Sequence, residues 1–456
     1  MSAPSLQRRV AFEVVRATFE DAAFTDRAFR VAAEREGLDG RERAQAQWLA
    51  FGSVQRRGTA DALIRRLAGR SPRLLDPPVR AALRLGLYEI LFGRAGAEHA
   101  AVDQAVELTR AAGAGQASGL VNAVLRRALR ERRALRAAIA PDGTPQQASI
   151  AHSVPRWLAE KWWAELGAAD ARSLLAACNR PQPRGLRVNT LRARREEVEE
   201  GLRSAGVEVG APGGPWPLAP AECLVVQGAL GVAVDLVERG VVVPQSLGSA
   251  AVVEVLDPRP AENVLDLCAG PGIKTGQIAA RIGGRGEVIS VEADPERAAE
   301  VAEWAQRLGS RSVTVIEADA AGPALGREFD RVLVDAPCSD LGTLATRPDV
   351  RWRKSPEMIE ELREVQRGIL LAAAAAVRPG GRLVYSTCTI SRPENEEQVA
   401  WLESVAGPGG APTLRVEDLG AAAPGLASAA DRRCLQLRPD RDRTTGFFIA
   451  RLRRDD

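Results

Sequence analysis

Beyond Val241 the chain is constrained by a regular alternation of short apolar, β-branched runs with helical stretches. VLDLC, VISVEA, VTVIEAD, RVLVDAP and GRLVYSTC read as strands, with helices predicted from Gln277, Pro295 and Pro356. Such runs lack the polar and apolar alternation of a half-solvated sheet, so both faces must be covered. The order predicts a mainly parallel, doubly wound α/β sheet over residues 241–456. LQLRP and FFIARLR, near the end, predict an antiparallel pair that closes it.

Upstream the periodicity changes. From Val10 to about Leu135 apolar residues recur three and four apart, as in Leu83, Leu87, Ile90 and Leu91, and in Leu120, Val121, Val124, Leu125 and Leu129. This is the pattern of amphipathic helices, and it predicts an all-helical domain over 1–140. Its last helix is expected to expose Arg126, Arg127, Arg130, Arg132, Arg133 and Arg136. The stretch APDGTPQQAS reads as a linker, placing a boundary at 141–150. Residues 151–240 are mixed: WLAEKWWAELG and RREEVEEGLRSAG as helices, LRVNT as a strand and GAPGGPWPLAP as a loop, a small α+β module.

Charge separates along the same lines. The net charge of +3 conceals a first stretch, 1–140, with 24 Arg, no Lys and 15 acidic residues, and a remainder with 38 basic and 44 acidic residues. The helical part is therefore the basic one, which suits a polyanion such as RNA. The lysines are Lys161, Lys274 and Lys354. Six dispersed cysteines without a Cys-x-x-Cys pair argue against disulfides and against a metal site. Neither a signal-like start nor ~18 consecutive apolar residues occur, so a cytoplasmic protein with no membrane partner is expected. A monomer is the simplest expectation.

The chemistry concentrates at the predicted strand ends. Cys268, Ala269, Gly270, Pro271, Gly272, Ile273 and Lys274 follow the first buried strand and open a helix, where open α/β sheets bind ligands. Gly270 and Gly272 would let backbone amides approach a ligand closely. A dinucleotide site competes, with Glu292 holding a ribose, but the third glycine of that motif is absent: position 275 is Thr. Glu292, Asp319 and Asp335 each end a strand, so they would line one rim: Glu292 for ribose hydroxyls, Asp319 for an adenine amino group, Asp335 facing the reacting centre. Cys338 in DAPC and Cys388 in STC fall on the same rim. His99 and His152 lie outside this domain, so a thiol there needs another activator, such as Lys274 or a helix N-terminus.

DLCAGPGIKT, VEADPERA, EADA, DAPCSDLGTLATRPDVRW, STCTI and RPENEE together resemble the ordered motif set of RNA cytosine carbon-5 methyltransferases over roughly residues 150–453. EHAAVDQAVELTR and GLVNAVLRRALR resemble the NusB-like RNA-binding domain fused to the bacterial enzymes that methylate 16S ribosomal RNA. The resemblance implies a Rossmann-like methyltransferase domain, S-adenosyl-L-methionine as cofactor and RNA as partner. It implies Cys388 as the nucleophile and Cys338 as the thiol that assists product release, with Lys274 and Asp335 beside them. Two departures stand out from the family loop Cys-Ala-Ala-Pro-Gly-Gly-Lys: Gly270 replaces an alanine and Ile273 the second glycine. Glu292 stands where aspartate is commoner.

The implied mechanism follows from the substrate. Carbon 5 of cytosine is a weak nucleophile, and a thiolate adding at carbon 6 makes it an enamine carbon. The base must leave any stack to reach such a thiol. Three rivals stand beside this reading: a catalytically inactive ribosome-assembly factor, a nucleotide-dependent oxidoreductase, and an N6-amino methyltransferase. The retained thiols, the loop spacing and DAPC in place of an Asn/Asp-Pro-Pro-aromatic motif argue against them in turn. A tRNA substrate remains an alternative to ribosomal RNA.

Overall fold

The computed structural model describes residues 3–93, 98–210, 218–227, 231–322, 325–405 and 412–455; positions 211–217 of the expected GAPGGPWPLAP loop lie outside them. The chain divides into two compact units, Met1–Arg180 with Leu344–Arg353, and Pro181–Thr343 with Lys354–Asp456.

The first unit is helical. Its central helix, Pro77–Phe92, has proline in its first turn, where a missing N–H costs nothing, and buries residues on all sides from Val79 to Leu91. Helices Leu6–Glu20, Gly40–Gln55, Glu98–Ala111 and Ser118–Arg130 pack around it. The core they share includes Val10, Val14, Leu49, Ile64, Leu83, Leu87, Ile90 and Leu125. Arg84 within it donates to both oxygens of Asp61, at 2.8 and 2.9 Å, which offsets the cost of burying its charge.

Four details differ from the sequence reading. The arginine-rich last helix is two helices, Ser118–Arg130 and Arg132–Ile139, separated at Glu131, whose backbone leaves the helical region. Arg126, Arg127, Arg130, Arg133 and Arg136 are exposed, whereas Arg132 is half-buried and paired with Glu98. The expected linker is partly helical, because Thr144 caps a helix Pro145–Ala151 by accepting from Gln147 N at 3.2 Å. The compact unit also runs on past the boundary read at 141–150, through helices Arg156–Leu166 and Ala168–Ala177.

Residues 344–353 join this unit through Arg351, whose fully buried guanidinium donates to the carbonyls of Ser153 at 3.0 Å, Cys178 at 3.0 Å and Leu344 at 2.8 Å, and to Asn179 Oδ1 at 3.1 Å. Burial lowers its pKa only to about 10, so it stays charged at neutral pH.

In the second unit, β1 (Arg184–Val188), β2 (Glu208–Gly210), β3 (Cys223–Gln227) and β4 (Val242–Pro244) form an antiparallel sheet in the order β2-β3-β1-β4. The larger sheet holds β5 (Asn263–Leu267), β6 (Glu287–Glu292), β7 (Val313–Glu317), β8 (Phe329–Asp335), β9 (Val377–Thr387), β10 (Leu414–Val416), β11 (Leu435–Leu437) and β12 (Phe447–Arg454). Its order is β10-β12-β9-β8-β5-β6-β7, with β11 paired to β12. The five strands from β9 to β7 are mutually parallel, and β12 pairs antiparallel with β9 and with β11, as expected of the closing pair. β10, short and at the edge, was not anticipated.

Alternate residues on these strands feed different cores. Leu265, Val332, Val334, Leu383 and Tyr385 pack on helix Pro356–Ala376 through Ile369 and Leu370. Val264, Leu333 and Val384 pack with Ile278 and Ile282 of helix Ile273–Ile282. Both faces are dry, which is why these strands read as unbroken apolar runs. Among the described residues no helix is long and apolar enough to cross a membrane.

Replacing Arg351 with Met should strip a shared donor from several buried carbonyls and destabilise the helical unit by about 3 kcal/mol. Thermal unfolding of the full chain measures this. An unchanged melting temperature would show that residues 344–353 are not anchored through Arg351.

Candidate functional site

Strand order reverses between β5 and β8, and the loops leaving their carboxyl ends meet there. After β5 the backbone turns at once. Cys268 is in the left-handed region at φ 69°, and Gly272 has φ 98°, a conformation that favours glycine. Gly272 is the N-cap of helix Ile273–Ile282, so the helix opens four residues before the expected Gln277 and its N-terminus faces the loop. A Cβ at 272 would lie 3.0 Å from the Cα of Val301. Ala269 N donates to Val291 O at 2.9 Å, and Gly272 N to Ala269 O at 2.8 Å. Pro271 is exposed, and Ile273 O accepts from Arg187 at 3.3 Å. Cys268 is half-buried, and burial pushes its thiol well up.

Glu292 ends β6 and reaches back to the loop, its carboxylate accepting from Gly270 N at 2.9 Å and from Asp294 N at 3.1 Å. Gly270 and Glu292, both departures from the family pattern, are therefore in contact. A Cβ at position 270 would stand 2.5 Å from Glu292 Oε2, 2.8 Å from Arg297 Nε and 3.0 Å from Arg297 Cβ, so the Glu292 carboxylate and the Arg297 side chain together occupy the space that an alanine methyl would take. Asp319, just past β7, is exposed and accepts from Ala321 N at 2.9 Å.

The part of the rim that carries Asp335 and the two cysteines is built by β8 and β9. Their parallel register sets Asp335 opposite Ser386, and Ala336 N continues the ladder onto Ser386 O at 2.9 Å. Asp335 is held from both sides: Lys274 Nζ lies 2.6 Å from one oxygen, and Ser386 Oγ donates to the other at 2.7 Å. Lys274 also lies 5.1 Å from the centroid of the Phe447 ring.

Just beyond, Cys338 Sγ and Cys388 Sγ are 3.4 Å apart. Cys338 is buried and Cys388 half-buried. The hydrogen bond shared with Cys338, together with burial, holds the Cys388 thiol well above its ordinary value. For Cys338 the same bond acts downward, but burial leaves it raised as well.

Two groups that sequence reasoning did not place here complete the cluster. Asp340 Oδ1 accepts from Cys388 Sγ at 2.9 Å. Lys354 Nζ is 3.5 Å from Asp340 Oδ2 and 3.3 Å from Cys338 O. The signal was the residue two beyond Cys338 in PCSD, which has meaning only once the turn is folded. Among the described residues Cys338, Asp340 and Cys388 are the one trio whose donor atoms lie close enough to share a metal ion, within 4.8 Å, and Lys354 Nζ lies 3.5 Å from that carboxylate.

Side chains behind the Cys338 loop hold its backbone. Glu394 accepts from Ser339 N at 2.8 Å and from Ser339 Oγ, and Gln366 donates to Pro337 O at 2.9 Å. Asn395 accepts from Thr387 Oγ1 at 2.6 Å, steadying the end of β9 before Cys388.

A mainly parallel sheet closed by an antiparallel strand, with a glycine turn after its first strand and acidic residues along the rim, defines a Rossmann-like methyltransferase preceded by an all-helical domain. Residues 253–453 match the family of 16S rRNA methyltransferases RsmB/F, residues 5–130 the NusB family, and 154–218 the ferredoxin-like domain of RsmF/B-like methyltransferases. The chain is 32% identical to the "Probable ribosomal RNA small subunit methyltransferase B" of Synechocystis, over 98% of this chain and 99% of that one. It is 34% identical to the ribosomal RNA small subunit methyltransferase B of Sodalis glossinidius, over 91% and 90% of the two chains. The crystal structure of PH0851 superposes with a TM-score of 0.82 at 27% identity, covering 99% of each chain. The chain belongs to the RsmB/F family of methyltransferases.

The Gly270–Glu292 contact makes a coupled prediction. Gly270→Ala alone should displace the Glu292 carboxylate and lower the melting temperature, and adding Glu292→Asp should recover part of the loss, a coupling of about 1 kcal/mol. Strictly additive losses would dismiss the pairing. A second prediction concerns Asp266, wholly buried with Thr275 Oγ1 donating to it at 2.7 Å, whose carboxyl burial pushes up to about 7. Folding therefore favours its neutral form: that contribution is complete below about pH 4 and is lost as pH rises through about 7. Asp266→Asn should gain stability over the parent between pH 5 and pH 8, by at most about 4 kcal/mol; parallel stability curves over that range would contradict the assignment.

Proposed function

We propose that this protein methylates carbon 5 of a cytosine in 16S ribosomal RNA, using S-adenosyl-L-methionine, through a covalent bond between Cys388 and the base. The observation that carries the reading is the pair of sulfurs 3.4 Å apart on the ligand-bearing rim, beside the Lys274–Asp335 pair. The printed names of the relatives, ribosomal RNA small subunit methyltransferases, support the substrate class.

The residues present fit the cofactor. Gly272, in a conformation suited to glycine and packed against Val301, keeps the loop low over the end of β5, and a helix N-terminus opens onto it. Residues 268–274 would hold the methionine part, Glu292 and Asp319 the nucleoside, and Asp335 would border the methyl group. S-adenosyl-L-methionine supplies, when bound, a methyl group on a cationic sulfur.

The chain's own residues do the rest. Cys388 adds to carbon 6 of the cytosine and so makes carbon 5 nucleophilic. Asp335, held by Lys274 and Ser386, would bind the exocyclic amine and stabilise the electrons that move towards that side of the ring. Cys338 then assists loss of the carbon-5 proton and release of Cys388. Residues 1–140, with their exposed arginines, would hold the RNA, 151–240 would contact it, and 241–456 would carry the reaction. One chain supplies every group named, so a monomer in the cytoplasm suffices.

Incubation with labelled S-adenosyl-L-methionine and unmodified 16S rRNA or tRNA tests this. Wild type should label 16S rRNA at carbon 5 of cytosine, Cys388→Ala should give no label, and Cys338→Ala should accumulate a covalent protein–RNA adduct. Full activity in Cys388→Ala would end the covalent mechanism, and label confined to tRNA would end the ribosomal assignment.

A further inference from the structure

We propose that Asp340 is a catalytic residue, the base that receives the Cys388 proton as sulfur adds to carbon 6 and returns it when the enzyme is released. The proposal rests on the cytosine carbon-5 reading above and names the activator which that reading lacks.

Geometry carries it. Cys388 Sγ donates to Asp340 Oδ1 at 2.9 Å, so the acceptor is in place before substrate arrives. Asp340 occupies the left-handed backbone region at φ 58°, and its carbonyl is tied down by Thr343 N at 2.9 Å and Thr343 Oγ1 at 2.8 Å, which aims the side chain. The other groups facing the two sulfurs are unsuited to the task. Lys274 is an ammonium paired with Asp335, whose second oxygen takes Ser386. Lys354 is a cation lying 3.5 Å from Asp340 Oδ2. Glu394 is engaged by Ser339 and Gln366. Cys338 is itself a thiol, and neither histidine of the chain belongs to this unit.

The chemistry requires such a base. The half-buried Cys388 thiol donates to Asp340 and is held above its ordinary value, so its proton must leave as the carbon–sulfur bond forms. The S–H bond breaks, its proton passes to Asp340 Oδ1, and a sulfur lone pair forms the bond to carbon 6. The carbon 5–carbon 6 π pair moves towards carbon 5 and the ring. The thioether that results has no appetite for the proton, so Asp340 keeps it. When the carbon–sulfur bond later breaks, the pair returns to sulfur and the proton follows.

The test measures adduct formation itself, in single-turnover reactions of the full chain with S-adenosyl-L-methionine and 16S rRNA. Cys338→Ala is compared with Cys338→Ala/Asp340→Asn from pH 6.5 to 9.5. Asn tolerates the left-handed backbone and keeps an oxygen on the thiol, but it does not act as a base. A single-turnover rate constant does not depend on the fraction of chain folded. The expected result is a roughly 100-fold slower adduct at pH 7, with the deficit shrinking as pH rises and the thiol ionises unaided. Equal rates, or a deficit that does not change with pH, would overturn the role of Asp340 and leave the covalent reading standing. Absence of any adduct in Cys338→Ala would bring down both.

Discussion

The parallel register between β8 and β9 is the constraint on which the candidate site depends. Opposing Asp335 to Ser386 brings the two strands to an end at the same height, so the residues that follow, including Cys338 and Cys388, emerge side by side. A shift of one residue would turn Tyr385 out of its core and carry Ser386 away from Asp335. The register is held by fit: Tyr385 and Val384, of unequal size, fill different cores, and Ser386 meets Asp335. Catalytic geometry is here a by-product of core packing.

Much of this was legible from residue order. Unbroken apolar runs with β-branched residues announced the strands of the large sheet, and strand-end positions announced that Lys274, Asp335, Cys338 and Cys388 share a rim. Helix starts were less legible where a cap carried no side-chain signal: Gly272 opens its helix through backbone conformation alone, and the expected start fell four residues late. The break at Glu131 was hidden because the apolar period runs through it. β10 and β2, three residues each, were too short to show a period.

Contacts between loops were the least legible. Asp340 lies in a turn and reaches Cys388 only because its backbone takes a left-handed conformation, and Lys354 returns to the site from 14 residues further along. The reciprocal fit of Gly270 and Glu292 was likewise invisible as a pair. Each reads in the sequence as a separate departure, one removing a methyl and the other adding a methylene, whereas in space the Glu292 carboxylate lies, with Arg297, where that methyl would stand.

The excursion of residues 344–353 into the helical unit bears on how such a protein can evolve. A stretch encoded in the midst of the catalytic unit completes the packing of the other, through the wholly buried Arg351. Recombination that exchanged only the leading 180 codons would deliver a helical unit without its clasp and leave an orphaned strap in the recipient. The two units are therefore interlaced by the chain itself, and a lineage that acquires the helical unit in this form must inherit both together.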